Sequence, residues 1–142
     1  MDAADDTVRE GGCRCGAHRF RTTGKPKWVA HCHCNDCRRS TGAAFSTWTG
    51  FRSERFSWLG AAPTVHESSP RTFRTFCARC GTSLTFVSDR WKDEVHILVG
   101  TFDDPATLVP RAHVYVRDKL PWVHLGDGLK FATTAAEGPP LP

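Results

Sequence analysis

The sequence contains no hydrophobic segment long enough to cross a membrane, since no run approaches the ~18 apolar residues of a transmembrane helix. The opening residues, MDAADDTVRE, lack the basic start and apolar stretch of a signal peptide. Internal repeats and low-complexity segments are also missing. These absences exclude a membrane partner and favour a soluble protein, and we expect a cytoplasmic one.

Length and composition predict one domain. The chain has 142 residues, of which 39% are hydrophobic and 11% aromatic, enough for a modest core. Residues 1–10 and 132–142 are poor in core-forming side chains. We therefore predict a disordered N-terminal tail over 1–10, a domain over 11–131 and a C-terminal tail over 132–142.

Short β-type segments broken by turn residues follow one another from Gly11 onward, which predicts an all-β fold. In EVHILVG, strand alternation places Val95, Ile97 and Val99 on one face. Two short segments could be helical, around Asn35–Ser40 and Pro105–Leu108. Eight candidate strands are predicted: His18–Thr22, Lys27–Cys32, Ala43–Gly50, Arg55–Gly60, Arg71–Cys77, Leu84–Ser88, Glu94–Gly100 and Ala112–Val116.

Seven cysteines are present, and a reducing cytosol favours metal binding over disulfides for such a chain. An odd number cannot pair completely within one chain, whereas one closed zinc site and one open site would use four and three ligands. The cysteines form three clusters: Cys13 with Cys15, Cys32 with Cys34 and Cys37, and Cys77 with Cys80.

Each cluster has the spacing of metal ligands. In the C-x-x-C pair a tight turn aims the sulfurs of Cys77 and Cys80 at one point, and Gly81 suits the positive φ of such a turn. In the C-x-C pair an extended backbone would direct the sulfurs of Cys13 and Cys15 to one side. These four cysteines would make a closed structural site that ties the N-terminal segment to mid-chain.

The remaining C-x-C-x-x-C cluster offers three sulfurs, and the sequence has no eighth cysteine to complete a shell of four. Zinc with three protein ligands is the catalytic pattern. Alternatively, His31, His33 or a distant histidine fills the fourth place and both sites are structural. Spacing also leaves open a partnership of Cys77 and Cys80 with two of the middle three cysteines.

The formal net charge of +4 and pI of 8.8 could suggest nucleic-acid binding. Zinc-bound cysteine is a thiolate, however, so two Zn²⁺ ions on seven thiolates would reduce the charge to about +1. Basic residues are also spread along the chain. We therefore expect no nucleic-acid partner.

Taken in order, the cysteine motifs and their neighbours resemble the glutathione-dependent formaldehyde-activating enzyme family, or S-(hydroxymethyl)glutathione synthases, whose domain is shared with centromere protein V. The resemblance covers roughly residues 11–131 and rests on the ordered combination of motifs, since C-x-x-C alone is common among zinc proteins. The matching elements are GGCRCGAHRF, HCHCNDCRRSTGAAFSTW, FCARCGTSL, VGTFDDP, His113 and Trp122.

This resemblance implies a zinc-stabilised β-tent (Mss4-like) fold with two Zn²⁺ ions per chain. It implies that Cys13, Cys15, Cys77 and Cys80 bind a structural zinc ion and that Cys32, Cys34 and Cys37 bind a catalytic one. The implied activity is a carbon–sulfur lyase reaction, the reversible addition of the glutathione thiol to formaldehyde. The partners would then be a small thiol and an aldehyde.

Three further residues are candidate substrate contacts. Arg38 and Arg39 directly follow Cys37 and could bind the carboxylates of a tripeptide thiol, although such arginines usually only solvate a surface. His113 belongs to the resemblance and could line the pocket. For His33, between two ligands, we expect a side chain that points away from the metal, more often to solvent.

Two other functions compete with the lyase. A noncatalytic zinc-folded binding module would need no open metal, so the three-ligand cluster argues against it. A thiol redox protein using Cys34 and Cys37 would leave five cysteines with ligand spacing unexplained.

Overall fold

The computed structural model describes residues 5–126 and 128–142. It is a single, mostly β domain with one α-helix, which confirms the predicted fold class. None of the helices in the described residues has the length and hydrophobicity to span a membrane. The strands are β1 Val8–Gly12, β2 Arg19–Thr23, β3 Trp28–Cys32, β4 Ser46–Arg52, β5 Phe56–Leu59, β6 Thr64–Ser69, β7 Thr72–Phe76, β8 Ser83–Ser88, β9 Glu94–Leu98, β10 Ala112–Val114 and β11 Leu129–Lys130.

The helix α1 spans Asn35–Thr41, in agreement with the predicted Asn35–Ser40 segment. It ends at Gly42, whose φ of 72° allows its N–H to bond to the carbonyl of Arg38. Pro105–Leu108, also predicted to turn, contains a 3-10 helix. The 3-10 helices cover Ser53–Arg55, Asp89–Trp91, Val99–Thr101, Pro105–Thr107 and Val116–Asp118.

The strands form two sheets. A small antiparallel sheet has the order β1-β2-β5, and a larger one has the order β11-β10-β3-β4-β9-β8-β7-β6. In the larger sheet β10 runs parallel to both β3 and β11, and the other pairings are antiparallel.

One hydrophobic core joins the two sheets. Phe20 of β2 is fully buried and packs edge-on against Phe102, with ring centres 5.0 Å apart. Phe51 of β4 and Ile97 of β9 belong to the same cluster. Val95, Ile97 and Val99, predicted to share one face, are all buried in this core, although Val99 follows the end of β9 and His96 is buried as well.

The structure adds strands that the sequence did not reveal. Val8, Arg9 and Glu10, which we assigned to the N-terminal tail, form part of β1 because they pair with residues 21–23 of β2. All six residues of β6 are exposed, so this edge strand shows no apolar alternation. In 132–142, no strand or helix is present among the described residues, although Thr133 accepts a backbone bond from Tyr115 and Leu141 donates one to Lys130.

Candidate metal centres

Four sulfurs from two distant segments converge on one point. The Sγ atoms of Cys13, Cys15, Cys77 and Cys80 all lie within 4.8 Å of one another. Cys15 lies 3.6 Å from Cys13 and 3.7 Å from Cys77, close to the ~3.8 Å edge of a sulfur tetrahedron around zinc at 2.3 Å. The structure therefore favours this pairing of clusters over the alternative in which Cys77 and Cys80 join the middle cysteines.

Local turns aim these sulfurs. Gly81 has a φ of 82° and donates to the Cys77 carbonyl, as predicted for the C-x-x-C turn, while the Cys80 N–H points at the Cys77 sulfur from 3.4 Å. The C-x-C pair differs from our expectation of an extended backbone, because β1 ends at Gly12 and a turn closed by Gly16 N–H to Cys13 C=O carries Cys15. The two sulfurs converge nonetheless.

A second cluster contains Cys32, Cys34 and Cys37, whose sulfurs also lie within 4.8 Å of one another. Cys32 ends strand β3, Cys34 is the N-cap of α1, and Cys37 lies in its first turns. The Cys34 sulfur accepts a hydrogen bond from the Cys37 N–H at 3.2 Å, so a soft ligand takes the place of the usual capping oxygen. The contact that caps the helix therefore also positions a candidate metal ligand.

Sulfur crowding shifts the acidity of this cluster. Contacts with the thiols of Cys32 and Cys37 lower the pKa of the Cys34 thiol to about 2. The same contacts, together with burial, raise the pKa of Cys32. Three sulfurs this close, with one ready to ionise, fit a thiophilic cation such as zinc.

No fourth ligand completes the second cluster within residues 5–126 and 128–142. Among these residues, no further cysteine, histidine or carboxylate has a ligand atom within 4.8 Å of all three sulfurs. His31 Nδ1 instead lies 2.8 Å from the hydroxyl of Thr47, and His33 Nε2 lies 3.1 Å from His113 Nδ1. Neither histidine belongs to the three-sulfur cluster, although His33 Nδ1 is buried without a hydrogen-bond partner among the described residues.

The expectation that His33 is exposed is wrong. Its side chain is 1% exposed and stacks near His113 and Phe45, with ring centres 5.4 and 5.1 Å away. Burial and the neighbouring His113 lower the pKa of His33 to about 4. His113 is itself buried on β10, where the parallel pairing with β3 places it beside His31.

Aromatic side chains cover the three-cysteine cluster. Trp48 is buried against Cys32 and Cys37, and Phe86 and Tyr115 pack on the same cluster. Trp48 therefore forms part of the wall around this cluster. Tyr115 was not anticipated from the sequence. Its backbone has a left-handed φ of 55°, a conformation that is energetically costly for an aromatic residue and that the local sequence does not predict.

The two predicted arginine contacts differ in exposure. Arg38 is half-buried on α1 and donates to Asn35 Oδ1 at 3.4 Å, while its Nε is buried without a hydrogen-bond partner among the described residues. Arg39 is exposed. Trp122, which belongs to the family resemblance, is 67% exposed and lies outside the core.

Fold and donor sets together define a small β protein with two cysteine clusters that could each hold a metal ion. The family model described as "Glutathione-dependent formaldehyde-activating enzyme" matches residues 8–118. The chain therefore belongs to this family, and the resemblance recognised from its motifs is confirmed.

Similar proteins include one relative in sequence and one solved structure. A protein of Halomonas elongata, provisionally assigned as a glutathione-dependent formaldehyde-activating enzyme, is 29% identical over 126 residues, which cover 82% of this chain and 80% of that protein. A crystal structure of a Rhodobacter sphaeroides protein shares the fold with a TM-score of 0.56 at 17% identity. That comparison covers 86% of this chain and 98% of the other.

Proposed function

We propose that the protein is a zinc-dependent carbon–sulfur lyase that reversibly adds a small, glutathione-like thiol to formaldehyde or a related aldehyde. Two Zn²⁺ ions per chain belong to the proposal, a structural one on Cys13, Cys15, Cys77 and Cys80 and a catalytic one on the other three cysteines. A cytoplasmic location is also proposed, since seven ligand thiols must stay reduced.

The observation that carries the proposal is the three-sulfur cluster of Cys32, Cys34 and Cys37. Among the described residues it has no fourth protein ligand, whereas the other cluster has four. Structural zinc is usually saturated by four protein ligands, while catalytic zinc keeps a position for water or substrate. The difference between the two clusters supports chemistry at the second one.

The proposed reaction needs no oxidant and no leaving group. The thiol sulfur forms a bond to the aldehyde carbon, the carbonyl π pair moves to oxygen, and the thiol proton ends on that oxygen. The product is a hemithioacetal, and the reverse reaction regenerates thiol and aldehyde. A free thiol near pKa 8.5 is only a few per cent ionised at pH 7, and zinc bound to the three cysteines would lower the pKa of an incoming thiol.

The chain's own residues have three proposed roles beside the metal. Trp48 and Tyr115, packed on the cysteines, restrict water around the reacting sulfur. Arg38 and Arg39 are proposed to attract the carboxylates of the thiol substrate. For His113 we propose one of two roles. It binds the substrate directly, or it holds His33 in place through the 3.1 Å contact between their ring nitrogens.

The proposal is tested by counting zinc and following the exchange of glutathione with formaldehyde by NMR exchange spectroscopy. We expect two zinc ions per chain and faster exchange than without protein. Cys34→Ser should lose one zinc ion and the acceleration. Two zinc ions without acceleration, for any thiol offered, would favour the noncatalytic binding module instead.

A further inference from the structure

A cleft of about 240 Å³ lies between α1 and strands β7 and β8, next to the three-cysteine cluster. Its lining includes Trp48, whose indole also packs on Cys32 and Cys37, and Ser40, one turn beyond Cys37. Arg74 of β7 and His66 of β6 also line the cleft. The cleft and the cysteine cluster thus share a wall.

The side chain of Arg74 is held in place within this cleft. Its guanidinium carbon lies 4.8 Å from the centre of the Phe86 ring, and its Nη1 donates to Ser40 Oγ at 3.2 Å. Ser40 is fixed in turn by bonding to the carbonyl of Cys37. An arginine ordered by an aromatic face and a hydroxyl loses little further entropy when it binds an anion.

Unlike Arg71 and Arg90, Arg74 has no acidic partner among the described residues. Arg71 and Arg90 form ion pairs with Asp89 and Glu137. For the half-buried Arg74, no Asp or Glu oxygen within the described parts of the chain lies within 4.0 Å of its nitrogens. A partly desolvated guanidinium without a counter-ion creates a site for an external anion.

We propose that the cleft binds one carboxylate of the thiol substrate through Arg74, so that the protein selects thiols that carry an acidic group. This inference rests on the proposed function, because it treats the cysteine cluster as the place where the thiol reacts. One guanidinium matches a carboxylate, which it can bind in bidentate geometry, better than a dianion. The volume, below the ~300 Å³ typical of pockets for whole drug-sized ligands, suits one end of a tripeptide.

The experiment measures the affinity of the zinc-loaded protein for S-methylglutathione by calorimetry. This thioether has both carboxylates of glutathione but no thiol, so binding is separated from reaction. Two analogues, each with one carboxylate converted to an amide, identify the group that the cleft binds. Arg74→Gln and the charge-conserving Arg74→Lys are compared with Arg52→Gln, which removes an arginine that is exposed at the end of β4.

We expect Arg74→Gln to weaken binding of S-methylglutathione roughly 10- to 100-fold, the usual range for a lost charge-assisted hydrogen bond. Arg74→Lys should recover part of the loss, and Arg52→Gln should bind like the unmodified protein. One amide analogue should show the same loss in the unmodified protein and no further loss in Arg74→Gln, because residue and carboxylate act as one pair.

Unchanged binding by Arg74→Gln, or independent losses with both analogues, would overturn the inference. Exchange spectroscopy on the same variants separates this result from the proposed reaction. If the protein accelerates glutathione exchange equally with and without Arg74, the carboxylate site is contradicted and the lyase activity is supported. If S-methylglutathione binding depends on Arg74 but glutathione exchange is not accelerated, the carboxylate site is supported and the lyase activity is contradicted.

Discussion

His33 and His113, 80 residues apart in the chain, lie with Nε2 and Nδ1 at 3.1 Å in the interior of the protein. His33 is flanked by Cys32 and Cys34, while His113 lies on β10. The contact therefore ties the segment that carries the three-cysteine cluster to the neighbouring parallel strand. Because one ring must donate and the other accept, the contact couples the tautomers of the two histidines: a proton on His33 Nε2 requires an unprotonated His113 Nδ1, and the reverse.

Replacing His113 by Phe should destabilise the zinc-loaded protein by about 1–3 kcal/mol, the cost of leaving the buried His33 nitrogen without a partner. Urea unfolding of the holoprotein measures this difference. His124→Phe is the matched control, since His124 is exposed and should change stability by less than about 0.5 kcal/mol. Equal effects of the two substitutions would contradict the structural importance of the pair.

The two cysteine clusters should respond differently to the loss of one sulfur. Cys77 is fully buried and its cluster closes a loop across 62 residues, so Cys77→Ser should cost several kcal/mol or prevent folding. Cys34 is half-exposed in a cluster confined to one short segment, so Cys34→Ser should leave a folded protein. Elemental analysis and thermal unfolding by circular dichroism check both variants, and Cys34→Ser is expected to stay folded with about one zinc ion.

An equally severe loss of folding in both variants would show that the second cluster is also essential for the structure. A folded Cys77→Ser protein with two zinc ions would contradict the four-sulfur assignment. Cys15→Ser provides a comparison within the first cluster, because the Cys15 side chain is exposed and its loss creates no buried cavity.

Much of this arrangement could be predicted from the chain. Strand alternation located β9, and the C-x-x-C turn with Gly81 follows from local chemistry. The burial of His33 could not be predicted, because it depends on a parallel pairing of β3 with β10 that no local signal specifies. Arg74 was missed for the same reason, since its position beside Ser40 is created by long-range packing.

Glu94 should make stability depend on pH. Hydrogen bonds from His96 and, in second place, the ammonium of Lys27 lower the pKa of the Glu94 carboxyl to about 2, against the effect of its burial. A carboxyl with a depressed pKa in the folded state stabilises it above the pKa of the unfolded state, near 4.5, and this contribution is lost as pH falls toward 2.

Replacing Glu94 by Gln should therefore cost about 2–3 kcal/mol at pH 7, and the difference from the unmodified protein should narrow below about pH 4.5. Chemical unfolding of both proteins between pH 7 and 3.5 measures it. Both proteins have the same cysteines, so protonation of the metal sites changes their stabilities equally. The difference in stability between them is therefore unaffected. A stability difference that stays constant down to pH 3.5 would contradict the ionised Glu94 carboxylate. As a control, Glu54→Gln, at an exposed position, should show no pH-dependent difference in stability.

Gly50 lies opposite Trp28 in the β3–β4 register, directly beneath the indole. A methyl group at this position would overlap with the ring nitrogen and its neighbouring carbons, so Gly50→Ala must displace Trp28. The same indole donates to Glu94 at 3.4 Å and packs beside the three-cysteine cluster. We expect a loss of about 1–3 kcal/mol in urea unfolding with zinc content unchanged, because the cysteines themselves do not move.

Gly100→Ala is the control, since a methyl group there meets no atom within 4 Å and should have little effect. In the double variant Gly50→Ala with Trp28→Phe, the smaller ring relieves the overlap that causes the loss. The two substitutions should therefore lower the free energy of unfolding by less than the sum of their separate effects. Full additivity would mean that the strand, rather than the indole, is disturbed by the methyl group. Loss of zinc from Gly50→Ala would instead show that the position of Trp28 determines the geometry of the three-cysteine cluster.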